Sequence, residues 1–218
     1  MGDGRLDCVV IGYNEIPFER YEGFLRNYGE ETEAYRDLKF SFVELGGRRL
    51  DYMGLLNRAL DEARGADGHT NNGHEPLKSG DIPNLAAVYL TNFLRRAGHR
   101  ARYVNLFQYE KDKLAAYLDE DPVCVAITTT FYVVNLPVVE MVEFIRARNP
   151  RVKIVVGGPL VSNHARNYRR PEELKAALEE MGADIYVVEG QGEHTLSQII
   201  SCLKAGGDLS SAPNLAYV

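Results

Sequence analysis

The 218-residue chain has no apolar run approaching the about 20 residues that span a bilayer. Its richest stretch, Val152 to Leu160, is broken by Lys153 and by glycines, which excludes a transmembrane enzyme. Positive charge is not in excess either: 25 Lys and Arg stand against 31 Asp and Glu, a net charge of −6. No overall basic field exists to hold a phosphate backbone, and the short clusters Arg95 to Arg102 and Arg166 to Arg170 read as solvated helix faces or ends. Cysteine is scarce and scattered. Cys8, Cys124 and Cys202 form no CxxC or CxxxCxxC group, a pattern that suits reduced, buried thiols rather than a disulfide framework. The histidines His69, His74, His99, His164 and His194 show no HxH or HExxH spacing, and Ser79 and Ser162 lack a Ser-His-Asp context. Met1 to Arg5 lead into only a short apolar stretch without a signal-peptide core. The cytoplasm is the expected compartment.

A 45% apolar and 26% charged composition is that of a folded domain with a real core. From Gly80 onward, β-branched runs alternate with amphipathic ones. Strands are expected at Tyr103 to Phe107, Val123 to Thr130, Val152 to Val156 and Ala183 to Val188, and one more at Leu6 to Gly12. Helices are expected at Asn84 to Ala97, Lys111 to Leu118, Pro137 to Arg148, Pro171 to Met181 and Thr195 to Leu203. This alternation predicts an α/β fold, a doubly wound parallel sheet of five strands in the order 2-1-3-4-5. The absence of GxGxxG after the first strand counts against a dinucleotide fold. The stretch 15–79 breaks the alternation and reads as an insertion of helix, hairpin around Gly46-Gly47, helix and polar loop. Both its ends fall at the carboxyl edge of the sheet, where it is expected to pack, either as a cap over a ligand or as a surface decoration.

In such a sheet the carboxyl-side turns are the informative positions. Here they read Gly12-Tyr13-Asn14, Thr128-Thr129-Thr130-Phe131, Gly157-Gly158-Pro159 and Glu189-Gly190-Gln191-Gly192-Glu193. Glycines permit close backbone approach, and threonine hydroxyls donate or accept without charge. Their concentration at one edge suits a large polar ligand lying across it.

These turns, with the Leu85 to Gly98 helix and the Val104-Asn105 strand, resemble the cobalamin (B12)-binding domain at the N-terminus of cobalamin-dependent radical SAM enzymes. Gly190-Gln191-Gly192-Glu193-His194-Thr195 is similar to that family's Gly-Glu-Gly-Glu-Thr turn, with Gln191 in place of the first Glu. The wider superfamily has members with an Asp-x-His-x-x-Gly motif whose His ligates cobalt. Here Asp81-Ile82-Pro83-Asn84-Leu85-Ala86 stands in its place, with Pro83 at the histidine position, and proline has no lone pair to offer. The departure matches the radical SAM branch.

The resemblance implies a flavodoxin-like fold that binds cobalamin base-off without a histidine ligand. It implies a dimethylbenzimidazole tail lined by Thr128, Thr129, Gly157 and Gly158, with Gly190 and Gly192 giving the nucleotide room and Tyr13, Asn14 and Phe131 meeting the corrin edge. Asp81, Pro83, Asn84, Thr130, Pro159 and Glu193 complete the expected cofactor contacts. Residues 1–210 would form the methyl-carrying domain of a radical SAM methyltransferase, and 211–218 would begin a linker to a C-terminal radical SAM domain. Methylcobalamin, a 4Fe-4S iron–sulfur cluster and S-adenosylmethionine are the implied cofactors, and a small molecule is the methyl acceptor. Since CxxxCxxC is absent, this segment is not expected to be catalytic alone. Tyr35-Arg36-Asp37-Leu38 further resembles the subset that includes a P-methyltransferase of phosphinate-antibiotic biosynthesis. A stand-alone corrinoid carrier protein and a non-catalytic flavodoxin-like ligand-binding module are the alternatives.

Overall fold

The computed structural model describes residues 5–16, 18–27, 29–32, 35–36, 42–63, 75–132, 134–188, 192–209 and 212–217. The chain divides into two compact units, one made of Met1–Glu15 with Pro83–Val218 and the other of Ile16–Ile82. Strand β1 (Cys8–Tyr13) opens the first unit. The second holds helix α1 (Phe18–Arg26), strands β2 (Val43–Leu45) and β3 (Arg48–Leu50), helix α2 (Tyr52–Ala63) and a 3-10 turn over Ser79–Asp81. The first then resumes with α3 (Leu85–Arg96), β4 (Ala101–Leu106), α4 (Lys111–Asp119), β5 (Cys124–Thr128) and α5 (Leu136–Arg148). It continues through β6 (Lys153–Gly157), α6 (Pro159–Asn167), α7 (Pro171–Met181), β7 (Ile185–Val187), α8 (Glu193–Ala205) and β8 (Leu215–Tyr217).

The sheet of the first unit runs β4-β1-β5-β6-β7-β8, parallel throughout except for β8, which is antiparallel to β7. The mixed α/β architecture agrees with the sequence. The strand count does not: six strands replace the expected five, because Leu215–Tyr217, within the stretch read as the start of a linker, pairs with β7. A three-residue strand carries too little periodicity to stand out from a turn-rich segment. Helix α6 was also unforeseen. Gly157-Gly158-Pro159 reads as a strand terminator, yet proline suits the first position of a helix, where its missing N–H would have had no partner.

Both faces of the sheet are covered, which is why its strands are continuous apolar runs. Val9, Ile11, Val125, Ile127, Ile154, Val156 and Tyr186 alternate onto one face and pack with residues of α4 to α7. Cys8, Val10, Cys124, Ala126, Val155, Ile185 and Val187 occupy the other face and meet α3 and α8. At the amino end of the sheet, the buried Asp7 carboxylate accepts from the Arg100 N–H at 2.7 Å and pairs with Lys204 at 2.8 Å, tying β1 to α8. Burial works to raise this carboxyl, but the Lys204 and Arg100 bonds outweigh it and hold it below the usual carboxylate range.

In the second unit, Leu25 and Tyr35 form a small cluster with Tyr21 and Phe24. Glu22 on α1 accepts from Arg26 at 2.8 Å and from Arg49 of the β2–β3 hairpin at 2.9 Å. Among the described residues, no helix of the chain is long and apolar enough to cross a membrane.

Candidate functional site

Helices α3 and α8 do not close over the sheet face they cover. Between them lies a cavity of about 310 Å³, within the range of small-molecule sites. Its floor is Ala126 of β5, Val155 of β6 and Val187 of β7, and its walls include Ala86 and Leu90 of α3 and Leu196 of α8. Toward the carboxyl edge it is lined by Thr128, Thr130, Gly157, Gly158, Pro159, Gly192, Glu193 and Tyr89. At its edge the Tyr89 hydroxyl donates to Glu193 Oε1 at 3.4 Å; the two helices also touch through the Phe93 ring, edge-on to His194 with centroids 4.9 Å apart.

Small residues hold this space open. A Cβ on Gly157 would lie 3.2 Å from Val187 Cβ, a contact tighter than ordinary packing allows. At Gly158, φ is +112° and ψ is −167°, a conformation that is essentially reserved for glycine. A Cβ there would stand 2.9 Å from Thr129 Oγ1 and 3.2 Å from Thr129 N. Thr129 is fully buried. Its hydroxyl donates to Gly157 O at 3.0 Å and accepts from Leu160 N–H at 3.2 Å, so it fixes the turn and does not line the cavity. The Thr128 hydroxyl donates to Gly12 O at 2.6 Å.

The remaining sequence-selected residues take other places. Asn84 caps α3: its Oδ1 accepts from Ala87 N–H at 3.0 Å, and its Nδ2 donates to Gly12 O at 3.2 Å. A Cβ on Gly12 would come within 2.8 Å of Asn84 Cβ and 2.9 Å of Asn105 O, so this glycine lets the start of α3 sit directly on β1. Pro83 is exposed just ahead of that cap. Asp81 belongs to the second unit, where its carboxylate accepts from Lys78 N–H at 2.9 Å. Gly190 lies outside the described residues.

Tyr13, Asn14 and Phe131 form a separate group that does not line the cavity. Tyr13 stacks on Tyr132 at 5.8 Å and meets the exposed Phe131 edge-on at 5.5 Å. Asn14 is buried; its N–H donates to the Tyr132 hydroxyl, and its Nδ2 donates to Pro137 O at 2.9 Å and Glu140 Oε2 at 3.1 Å. Gln108 Nε2 donates to Asn14 Oδ1 at 2.8 Å. Burial pushes the phenols of Tyr13 and Tyr132 up, so both stay protonated.

The cavity's apolar part, Ala86, Tyr89, Leu90, Ala126, Ile127, Val155, Val187 and Leu196, is not among the contacts expected from sequence. Strand alternation could have found three of them, since Ala126 and Val155 stand two residues before Thr128 and Gly157 on the same face, with Val187 beside Gly157 in register.

Among the described residues, one carboxylate, Glu193, and no imidazole, thiol or cationic side chain lines the cavity. Such a site suits a largely apolar group and, among the described lining residues, offers no acid–base pair to act on it. No curated protein and no solved structure matches the chain. The family model of the B12 binding domain matches residues 79–200, which include every residue lining the cavity. The chain therefore belongs to the B12-binding domain family and binds cobalamin.

Proposed function

We propose that the domain holds cobalamin base-off, with the nucleotide tail in the cavity and no protein imidazole on cobalt, as the methyl-carrying domain of a cytoplasmic radical SAM methyltransferase. The observation that carries this reading is the apolar cavity of about 310 Å³ opening toward the glycine-rich carboxyl edge. Its residues fit the group. Ala126, Val155, Val187, Leu90 and Leu196 would hold an apolar aromatic base, and Gly157 and Gly158 leave the room that side chains would fill.

Pro83 stands where related domains carry the ligating histidine. The described histidines are engaged elsewhere: His99 with Ser197 at 2.8 Å, His164 with Asn135 at 2.8 Å and His194 against Phe93. Bound methylcobalamin supplies a methyl group held on cobalt. The chain's own part is to strip water from the tail and to fix the turn beside it through Thr129. The reading requires a radical SAM domain, with its 4Fe-4S cluster and S-adenosylmethionine, as partner and a small molecule as methyl acceptor. A stand-alone corrinoid carrier would use the same cavity, and the lack of an acid–base pair among its described lining residues suits either role.

Electron paramagnetic resonance of the Co(II) form tests the cobalt environment. A base-off spectrum without strong nitrogen splitting is expected. Nitrogen splitting that disappears on replacing His69, His74, His164 or His194 would contradict the reading.

A further inference from the structure

Cys8 and Cys124 are the first residues of β1 and β5, which are neighbours in the sheet. They stand opposite each other in the parallel register and belong to one apolar cluster, on the face covered by α3 and α8. Neighbouring strands lie about 4.7–4.9 Å apart, inside the about 4.4–6.8 Å between α-carbons that a disulfide spans. The thiols also touch: Cys8 shares a side-chain hydrogen bond with Cys124. That contact, with burial second, pushes the Cys8 thiol well above its ordinary range. Both side chains are fully buried and free, so neither reacts while the strands are closed. What shields them is the amino end of the sheet. Cys8 N–H donates to Arg100 O at 3.2 Å, Cys124 N–H donates to Asp7 O at 3.1 Å, and Lys204 holds the Asp7 carboxylate at 2.8 Å. Bonds at strand ends open before those of the sheet interior. Cys202 lies apart from the pair, on α8, where its thiol donates to Asp208 O at 3.3 Å.

We propose that Cys8 and Cys124 are a dithiol modification site, at which a small disulfide closes a reversible covalent bond between β1 and β5. When the strand ends part, one thiol loses its proton and its sulfur attacks the reagent's disulfide, expelling one thiolate. The second thiol, deprotonated in turn, attacks the mixed disulfide and expels the other thiolate. The two protons pass to the expelled thiolates. Two protein thiols are thus oxidised to one disulfide, and one reagent disulfide is reduced to two thiols. The inference does not depend on what the cavity holds.

Bis(hydroxyethyl) disulfide added to the folded, ligand-free full chain tests this, read by intact mass and peptide mapping. The chain should lose two hydrogens, and the Cys8–Cys124 linkage should exceed any pairing with Cys202 at least about tenfold, because the facing thiols see each other at a high effective concentration. Dithiothreitol should restore the original mass. Cys202→Ser, whose hydroxyl can still donate to Asp208 O, should close at the parent's rate, whereas Cys8→Ala should stop at a mixed disulfide or not react. The closed chain should unfold at the reduced chain's urea midpoint or above it, since the bond joins strands that are already paired. Thiols at Cys8 and Cys124 that stay reduced until urea unfolds the chain, a product dominated by Cys202, or a lower midpoint after closure would overturn the inference.

Discussion

Replacing Gly158 by alanine is the most demanding test of the turn beside the cavity. The backbone there has φ +112°, a region that costs a residue with a side chain of order 1–3 kcal/mol. The new Cβ would also stand 2.9 Å from Thr129 Oγ1 and 3.2 Å from Thr129 N. The hydroxyl is held by Gly157 O and Leu160 N–H, and the backbone nitrogen by Gly157 O at 3.0 Å. Neither atom can retreat without breaking a bond. Strain and crowding together should destabilise the ligand-free protein by at least about 2 kcal/mol, or about 4–8 °C in Tm for a domain of this size. Urea denaturation of the parent, Gly158→Ala, Thr129→Ala and the double variant would measure it. Removing the Thr129 hydroxyl relieves part of the clash, so the double variant should lose less than the two single losses added together. A Gly158→Ala protein within about 0.5 kcal/mol of the parent would refute the reasoning, since a non-functional surface substitution does no more than that. Gly158→Val is for the same reason a poor probe of ligand volume, because its backbone strain would be read as lost affinity.

Further expectations follow from buried polar groups. Among the described residues, Thr91 Oγ1 is the buried side-chain polar atom without a hydrogen-bond partner. Thr91→Val should therefore stabilise the protein by about 1 kcal/mol, and a loss in chemical denaturation would show that the hydroxyl is in use. Burial holds the imidazoles of His99 and His164 below their ordinary range, against weaker opposite pulls that include Asp7 and Glu180 respectively. The unfolded chain then takes up protons near pH 6.5 that the folded one refuses, so stability is full above that pH and falls below it. Urea midpoints should drop between about pH 7.5 and about pH 5.5, and an unchanged midpoint would contradict the burial argument.

The alternation of apolar runs from Gly80 onward made the layered α/β fold legible, because a strand covered on both faces leaves a continuous β-branched signature such as Cys124–Thr128. The carboxyl-edge turns were legible for a different reason: glycine at positions 157 and 158 marks backbone that a side chain would obstruct. Helix α6 was hidden by Gly158-Pro159, which serves equally as a strand stop and a helix start. The cavity floor was hidden by its ordinariness. Ala126, Val155 and Val187 are what any buried strand would carry, and only the spacing of α3 and α8 turns them into a binding surface. Asn14 stands at one of these turns, and its hydrogen bonds to Tyr132, Pro137 and Glu140, which no sequence pattern announces, tie it into the packing.

Ala126→Leu tests whether this cavity receives the cobalamin tail. Ala126 lies on the floor, so the larger side chain would project toward the cavity and should cost the ligand-free protein no more than about 1–3 kcal/mol. Titration with hydroxocobalamin, followed by absorbance and calorimetry, should show one equivalent bound by the parent and affinity reduced at least about thirtyfold in the folded variant. Parent-like affinity in Ala126→Leu, or no binding by the parent, would contradict the account.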